Sequence, residues 1–187
     1  MNRFAYSRAF TLIELMVTVA IAAILLGIAV PSFNDFIQKR AVNLKTVEVR
    51  GALELARGLA ISQRQTWKVC TVDALNSCVL KDGVRLIVFR DDNSNNALDV
   101  GESLHADVAL NALDLKLSVG LGQTSLAFRG SGEALLGGNF EICSENPSFD
   151  FGRRAIVFTS GRIRLSSDSD ADGYDDTGGV KIQCPST

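Results

Sequence analysis

Ala9-Phe10-Thr11-Leu12-Ile13-Glu14-Leu15 places one carboxylate, Glu14, near the start of an apolar run that continues to Val30. From Phe10 to Val30 the run is 21 residues long, and only Thr11, Glu14 and Thr18 are polar. At about 1.5 Å rise per residue a helix of that length covers roughly 30 Å, the thickness of a hydrocarbon core. An acid inside such a segment is costly and is retained where it has a function. Ahead of the run, Met1 to Ala9 carries Arg3 and Arg8 and no acid. Positive charge on that side predicts a cytoplasmic N-terminus, with the rest of the chain beyond the inner membrane.

Two ordinary segments compete with this reading. A secretory signal peptide has a charged start, an apolar core of about 7–15 residues and a small-residue cleavage site behind it. Here the run is longer, and the small residue, Ala9, precedes it. A plain signal anchor has no need of an acid five residues after Ala9.

The stretch resembles the class III leader of type IV prepilins and type II secretion pseudopilins, of the FimT/FimU–GspH type. The resemblance implies that a prepilin peptidase cuts between Ala9 and Phe10 and that the new N-terminal Phe10 is methylated. Glu14 is then the fifth mature residue and Pro31 the twenty-second, where the family also tends to have proline. Ala9 departs from the family's usual Gly but keeps a small residue before the cut. Buried alone in lipid, the Glu14 carboxylate would cost several kcal/mol or take up a proton. Beside the Phe10 amine of a neighbouring subunit it gains a partner. A snorkelling acid at the membrane edge is the alternative.

The chain has 187 residues, enough for one domain plus an anchor. Its net charge is −2, and loss of the two leader arginines leaves 17 basic against 21 acidic side chains. Global charge therefore does not drive nucleic-acid binding, and any such activity needs a local patch. Cys70, Cys78, Cys143 and Cys184 all lie beyond the membrane segment, on the oxidising side, which favours two disulfides. Of the three pairings, Cys70–Cys78 closes a short loop and Cys143–Cys184 pins the C-terminus; these are favoured. Zinc is the rival, but the spacings lack its tight C-x₂₋₄-C pairs. His105, the one histidine, reads as a solvated residue in a polar loop, and no nucleophile elbow, P-loop or dinucleotide fingerprint occurs. No enzyme activity, cofactor or small-molecule substrate is expected.

Beyond the membrane segment, Val42, Val49, Leu53, Ala56 and Ala60 recur near a 3.6-residue period. Arg50–Glu54 and Glu54–Arg57 add charge pairs at helical spacing. Pro31 is expected to kink the helix rather than end it, because the helical pattern resumes at Phe33. Gly51 and Gly58 weaken it slightly. After Gln65 short strands are expected at 66–72, 84–90, 113–119, 125–128, 140–144, 155–159, 162–166 and 180–184, separated by Gly, Asn, Asp and Ser. Trp67 and Phe89 read as core. The fold expected is α+β and pilin-like: a leader at 1–9, a helix at 10–64 with 10–30 transmembrane, and an antiparallel β-sheet head at 65–187.

Three clusters in the head carry charge. With Asp91 as position 1, Asp91, Asn93, Asn95, Asp99 and Glu102 fall at positions 1, 3, 5, 9 and 12, the spacing of a calcium loop. Asn96 stands where such loops have Gly, and a strand, not a helix, precedes the loop. Related minor pilins have a similar hairpin as a structural loop, and Asn and Asp favour turns without any ion. Asp168, Asp170, Asp172, Gly173 and Asp176 form a second run without an acid at position 12, which reads either as a solvated connection or as a calcium loop. Gly152-Arg153-Arg154 and Gly161-Arg162-Ile163-Arg164 form the head's basic cluster. Strand alternation puts Arg162 and Arg164 on one face. This G-R-x-R resembles a motif of FimT-like minor pilins, which bind DNA in natural transformation; hairpin arginines paired with local acids are the alternative.

The resemblance implies a minor type IV pilin of the pilus initiation or tip complex. Its partners are other minor and major pilins, the prepilin peptidase and the inner membrane before assembly. A DNA-binding minor pilin for DNA uptake and a type II secretion minor pseudopilin are the alternatives.

Overall fold

A computed structural model describes residues 10–110, 113–119, 123–144, 151–176, 180–182 and 184, with side chains undescribed at 28–32, 113–115 and 118–119. The leader with its expected cleavage residue Ala9 lies outside the described residues. The chain divides into two compact units, Met1–Ile37 and Gln38–Thr187. The second begins well before residue 65, because the amphipathic half of the helix supplies part of the head's core.

One helix, α1 (Leu12–Gln63), continues through Pro31. Its first turn is capped by Thr11, whose hydroxyl accepts the Glu14 backbone N–H at 3.3 Å while its carbonyl accepts that of Leu15. Thr11-x-x-Glu14 is a capping signature, and an acid in the first turn also meets the positive end of the helix dipole. In the first unit the described apolar side chains are exposed all round, from Leu12 and Ile13 through Leu25 and Leu26 to Phe33 and Phe36. A helix apolar on every side needs lipid or other helices around it. Among the described residues no helix is long and apolar enough to cross a membrane.

In the second unit, α1 buries Val42, Val49, Leu53, Ala56 and Ala60 completely, the periodic set expected. The helix ends where Arg64 takes a left-handed φ of 53°. Strands follow: β1 (Trp67–Val72), β2 (Cys78–Val79), β3 (Arg85–Arg90), β4 (Ser103–Ala109), β5 (Leu113–Val119), β6 (Leu126–Phe128), β7 (Gly138–Ser144), β8 (Gly152–Val157) and β9 (Ile163–Leu165). They form two antiparallel sheets. The first has the order β2-β1-β3-β4, with β6 also on β1; the second has the order β5-β7-β8-β9. Trp67, Val69, Leu86 and Val88 of the first sheet and Phe140, Ile142 and Val157 of the second join the helix face in one core. The other face of the first sheet carries a smaller core of Cys70, Val72, Cys78, Ile87 and Phe89, with Leu98 packed on it. The disulfides are Cys70–Cys78 and Cys143–Cys184.

Four elements differ from expectation, the first being β2, a short strand at Cys78–Val79 where none was expected. Ser103–Ala109 is a strand, so His105 sits on β4 and not in a loop; its ring meets Trp67 edge-on at 4.7 Å. β8 starts at Gly152, taking Arg153 and Arg154 into the sheet. The described residues of the expected strand at 180–184 form only an isolated bridge, Asp176 with Lys181.

Candidate functional site

Glu14 is the first candidate. Its side chain is exposed on the first turn of α1, among exposed apolar neighbours. It is thus presented outward and available to a second molecule.

The loop between β3 and β4 holds the second. Asp91 has no solvent exposure at its side chain and lies 2.6 Å from the Lys68 Nζ. It also accepts the backbone N–H groups of Asn95 at 3.2 Å and Asn96 at 2.9 Å. Burial, the largest single influence, pushes the Asp91 carboxyl up. The Lys68 ammonium and the Asn96 N–H together outweigh it and hold the group below its ordinary value. Asn93 and Asn95 both turn their amide nitrogens to Asp99, at 2.8 and 2.7 Å. Glu102 accepts the backbone N–H groups of Asp92 and Asp99. Each of the five expected calcium ligands is therefore engaged in a hydrogen bond inside the loop. Among the described residues, the acids whose oxygens all lie within 4.8 Å of one another are Asp168, Asp170 and Asp172, all exposed.

The arginines separate into two kinds. Arg153 faces the core side of β8 and donates to Asp175 at 2.7 Å, to Asn43 on α1 and to the Ser166 carbonyl. Arg154 faces the other way and pairs with Glu141 on β7. Both guanidinium groups are half-buried and neutralised by acids of the fold. Arg162 and Arg164 are exposed, with Ile163 half-buried between them. Arg162 lies over the Phe158 ring, 4.5 Å from its centroid, and Arg164 has no hydrogen bond or ion pair among the described residues. Gly161, ahead of them, has φ +78°, and a Cβ there would sit 1.9 Å from the Gly132 carbonyl oxygen. Of the four basic residues singled out from sequence, two hold the sheet to the helix and to itself, and two face solvent together.

Sequence reasoning missed two contributors. Thr11 was legible through its T-x-x-E spacing. Lys68 had no local signal, because it is 23 residues from Asp91.

A helix backing two antiparallel sheets, with an exposed apolar stem, now stands beside the family comparisons. The model of the type II transport protein GspH matches residues 46–161, more than half of the chain. The chain belongs to the GspH family. The prokaryotic N-terminal methylation motif matches residues 5–30, so this GspH-family protein is a minor pilin or pseudopilin. The motif marks it as membrane-anchored first and a filament subunit later. Among solved structures, the minor pseudopilin EpsH of the type 2 secretion system of Vibrio cholerae is 17% identical. That match covers 69% of this chain and 98% of EpsH, with a TM-score of 0.50. The type IV minor pilin FimU of Pseudomonas aeruginosa is 19% identical, with 71% of this chain and 92% of FimU covered and a TM-score of 0.48. The likeness to EpsH gives the GspH-family head a pilin-like α+β fold.

Proposed function

We propose that this GspH-family chain is a minor type IV pilin. Prepilin peptidase cuts it between Ala9 and Phe10, and Phe10 is methylated. The mature chain then waits in the inner membrane as a single-pass protein, N-terminus cytoplasmic and head periplasmic, before joining the initiation or tip complex. The observation that carries this is the methylation motif at 5–30 laid on the first part of α1, where the described apolar side chains, Leu12 to Leu26, are exposed on every side. The mechanism is noncatalytic. Glu14 pairs with the Phe10 amine of a neighbour as the stem leaves lipid, and the outward face of α1 packs against other stems. Leu44, Val47 and Leu55 share that face with Gly51 and Gly58, where an added Cβ meets nothing within 4 Å.

Co-expression with a prepilin peptidase tests the processing step. Intact mass should fall to that of a chain starting at Phe10, plus one methyl group. An unprocessed chain, or a cut after the apolar run, would refute it. A type II secretion pseudopilin is the same molecule in another filament, and recovery with pilus or with pseudopilus subunits separates the two.

A second reading, DNA uptake, is favoured by the exposed pair Arg162 and Arg164. The head is proposed to need no cofactor. Calcium at Asp91, Asn93, Asn95, Asp99 and Glu102 is the alternative, and binding heat in calorimetry that disappears with chelator would establish it.

A further inference from the structure

The loops 91–102 and 168–176 fold alike at their starts. In each, the residue at position 1 accepts the backbone N–H of position 6: Asp91 from Asn96 at 2.9 Å, Asp168 from Gly173 at 3.0 Å. In each, position 3 accepts from position 5 and position 5 from position 7. What differs is charge. The second loop has aspartate at positions 1, 3 and 5, and these three crowd together in solvent. The first has asparagine at 3 and 5, which leaves Asp91 as the one acid of the three. That acid is fully buried, and the Lys68 Nζ lies 2.6 Å from it and 2.8 Å from the Asn96 Oδ1.

We infer that the Lys68 ammonium is the resident cation of the 91–102 loop, held by the position-1 acid and by the Asn96 side-chain oxygen, so that the loop keeps its shape without metal. The single charge of the ammonium matches Asp91, the one acid of the loop whose side chain has no solvent exposure, while Asp99 and Glu102 are taken up by N–H donors inside the loop. The donor set agrees. Asn93 and Asn95 present N–H groups to Asp99, and an amide N–H cannot ligate a cation. The ammonium also links the loop to the first sheet: Lys68 is on β1, and Ser125, just ahead of β6, donates to the same Asn96 Oδ1 at 3.0 Å. A cleft of about 460 Å³, lined by Thr66, Lys68, Asp91 and Ser94 among others, opens on the Lys68 side of the pair, where the ammonium keeps some exposure. Competition can therefore be measured directly. The inference holds whichever filament the protein serves.

The test is amide hydrogen exchange on the full-length chain in detergent micelles, with millimolar calcium chloride or with EGTA. In the native chain, the Asn95 and Asn96 amides should exchange equally slowly in both. In Lys68→Met they should exchange at least tenfold faster in EGTA, and calcium should restore part of the protection. Asn96→Gly, which removes one of the two oxygens on the ammonium and suits the left-handed φ of 57° at this position, should give a smaller loss in the same direction. Helix amides at Val49 to Ala56 serve as the control for folding. Calcium-dependent protection in the native chain would overturn the inference without any variant. So would full protection of Lys68→Met in EGTA, or a loss that calcium does not repair, since either leaves an ordinary ion pair.

Discussion

Lys68 on β1 and Asp91 at the end of β3 form an ion pair of 2.6 Å around a carboxylate with no solvent exposure. The Asp91 carboxyl is held below its ordinary 3.8 because the ammonium and backbone N–H groups stabilise its charged form more than burial penalises it. A depressed folded value fixes the sign of the linkage. The contribution to stability is complete above 3.8 and is lost as the pH falls below it. Chemical denaturation at neutral pH should show Asp91→Asn to be less stable by about 3 kcal/mol, because a mostly buried ammonium loses its partner. Between about pH 4 and pH 2 the native chain should lose stability more steeply than the variant. Parallel pH profiles would show that Asp91 is not ionised against Lys68.

Gly161 meets two demands at once. Its φ is +78°, and a Cβ there would fall 1.9 Å from the Gly132 carbonyl oxygen. Gly161→Ala should cost about 3 kcal/mol, since a backbone must move. Gly101→Ala is the comparison: its φ is +100° with nothing within 4 Å, so about 1 kcal/mol of backbone strain is expected. Equal costs in thermal unfolding would remove the packing role assigned to the first residue of the G-R-x-R segment.

The two disulfides should differ in weight. Cys143–Cys184 spans 41 residues and Cys70–Cys78 spans eight. On the loop-entropy model, replacing each pair by serine should cost about 4 and about 2.5 kcal/mol respectively. The longer bridge also packs on Gly152, where a Cβ would lie 2.6 Å from the Cys184 Sγ. Gly152→Ala should therefore lose stability with the bridge intact and lose less once both cysteines are serine. Additive losses would contradict that contact.

If the basic face binds DNA, its energetics follow from two arginines. Binding should weaken with salt at a log–log slope near −2. Arg162→Ala with Arg164→Ala should abolish that slope while leaving thermal stability within about 0.5 kcal/mol. Arg154→Ala should do the opposite, costing stability by stranding the buried Glu141 and leaving DNA affinity alone. Unchanged binding in the double variant would exclude the patch.

The buried stripe of α1 was legible because a 3.6-residue period survives in Val42, Val49, Leu53, Ala56 and Ala60. β4 was not. It is an edge strand with Leu104, His105, Asp107 and Ala109 exposed, so its composition reads as a loop. β8 begins three residues earlier than the apolar pattern predicts, with Arg153 and Arg154 in its first half. Their partners, Asp175 and Glu141, are 22 and 13 residues away. The same distance hid Lys68. Charge pairing across a sheet leaves no local pattern, whereas capping, as at Thr11, does.

Recovery of the protein in filaments sheared from cells tests the central claim most directly. Cells should contain native and Glu14→Ala chains in equal amounts, both processed to Phe10. The native protein should be found with the sheared filaments and the Glu14→Ala chain should stay with the membrane fraction. Equal recovery of the two in filaments would contradict the account, because the acid with which the apolar stem begins would then have no part in assembly.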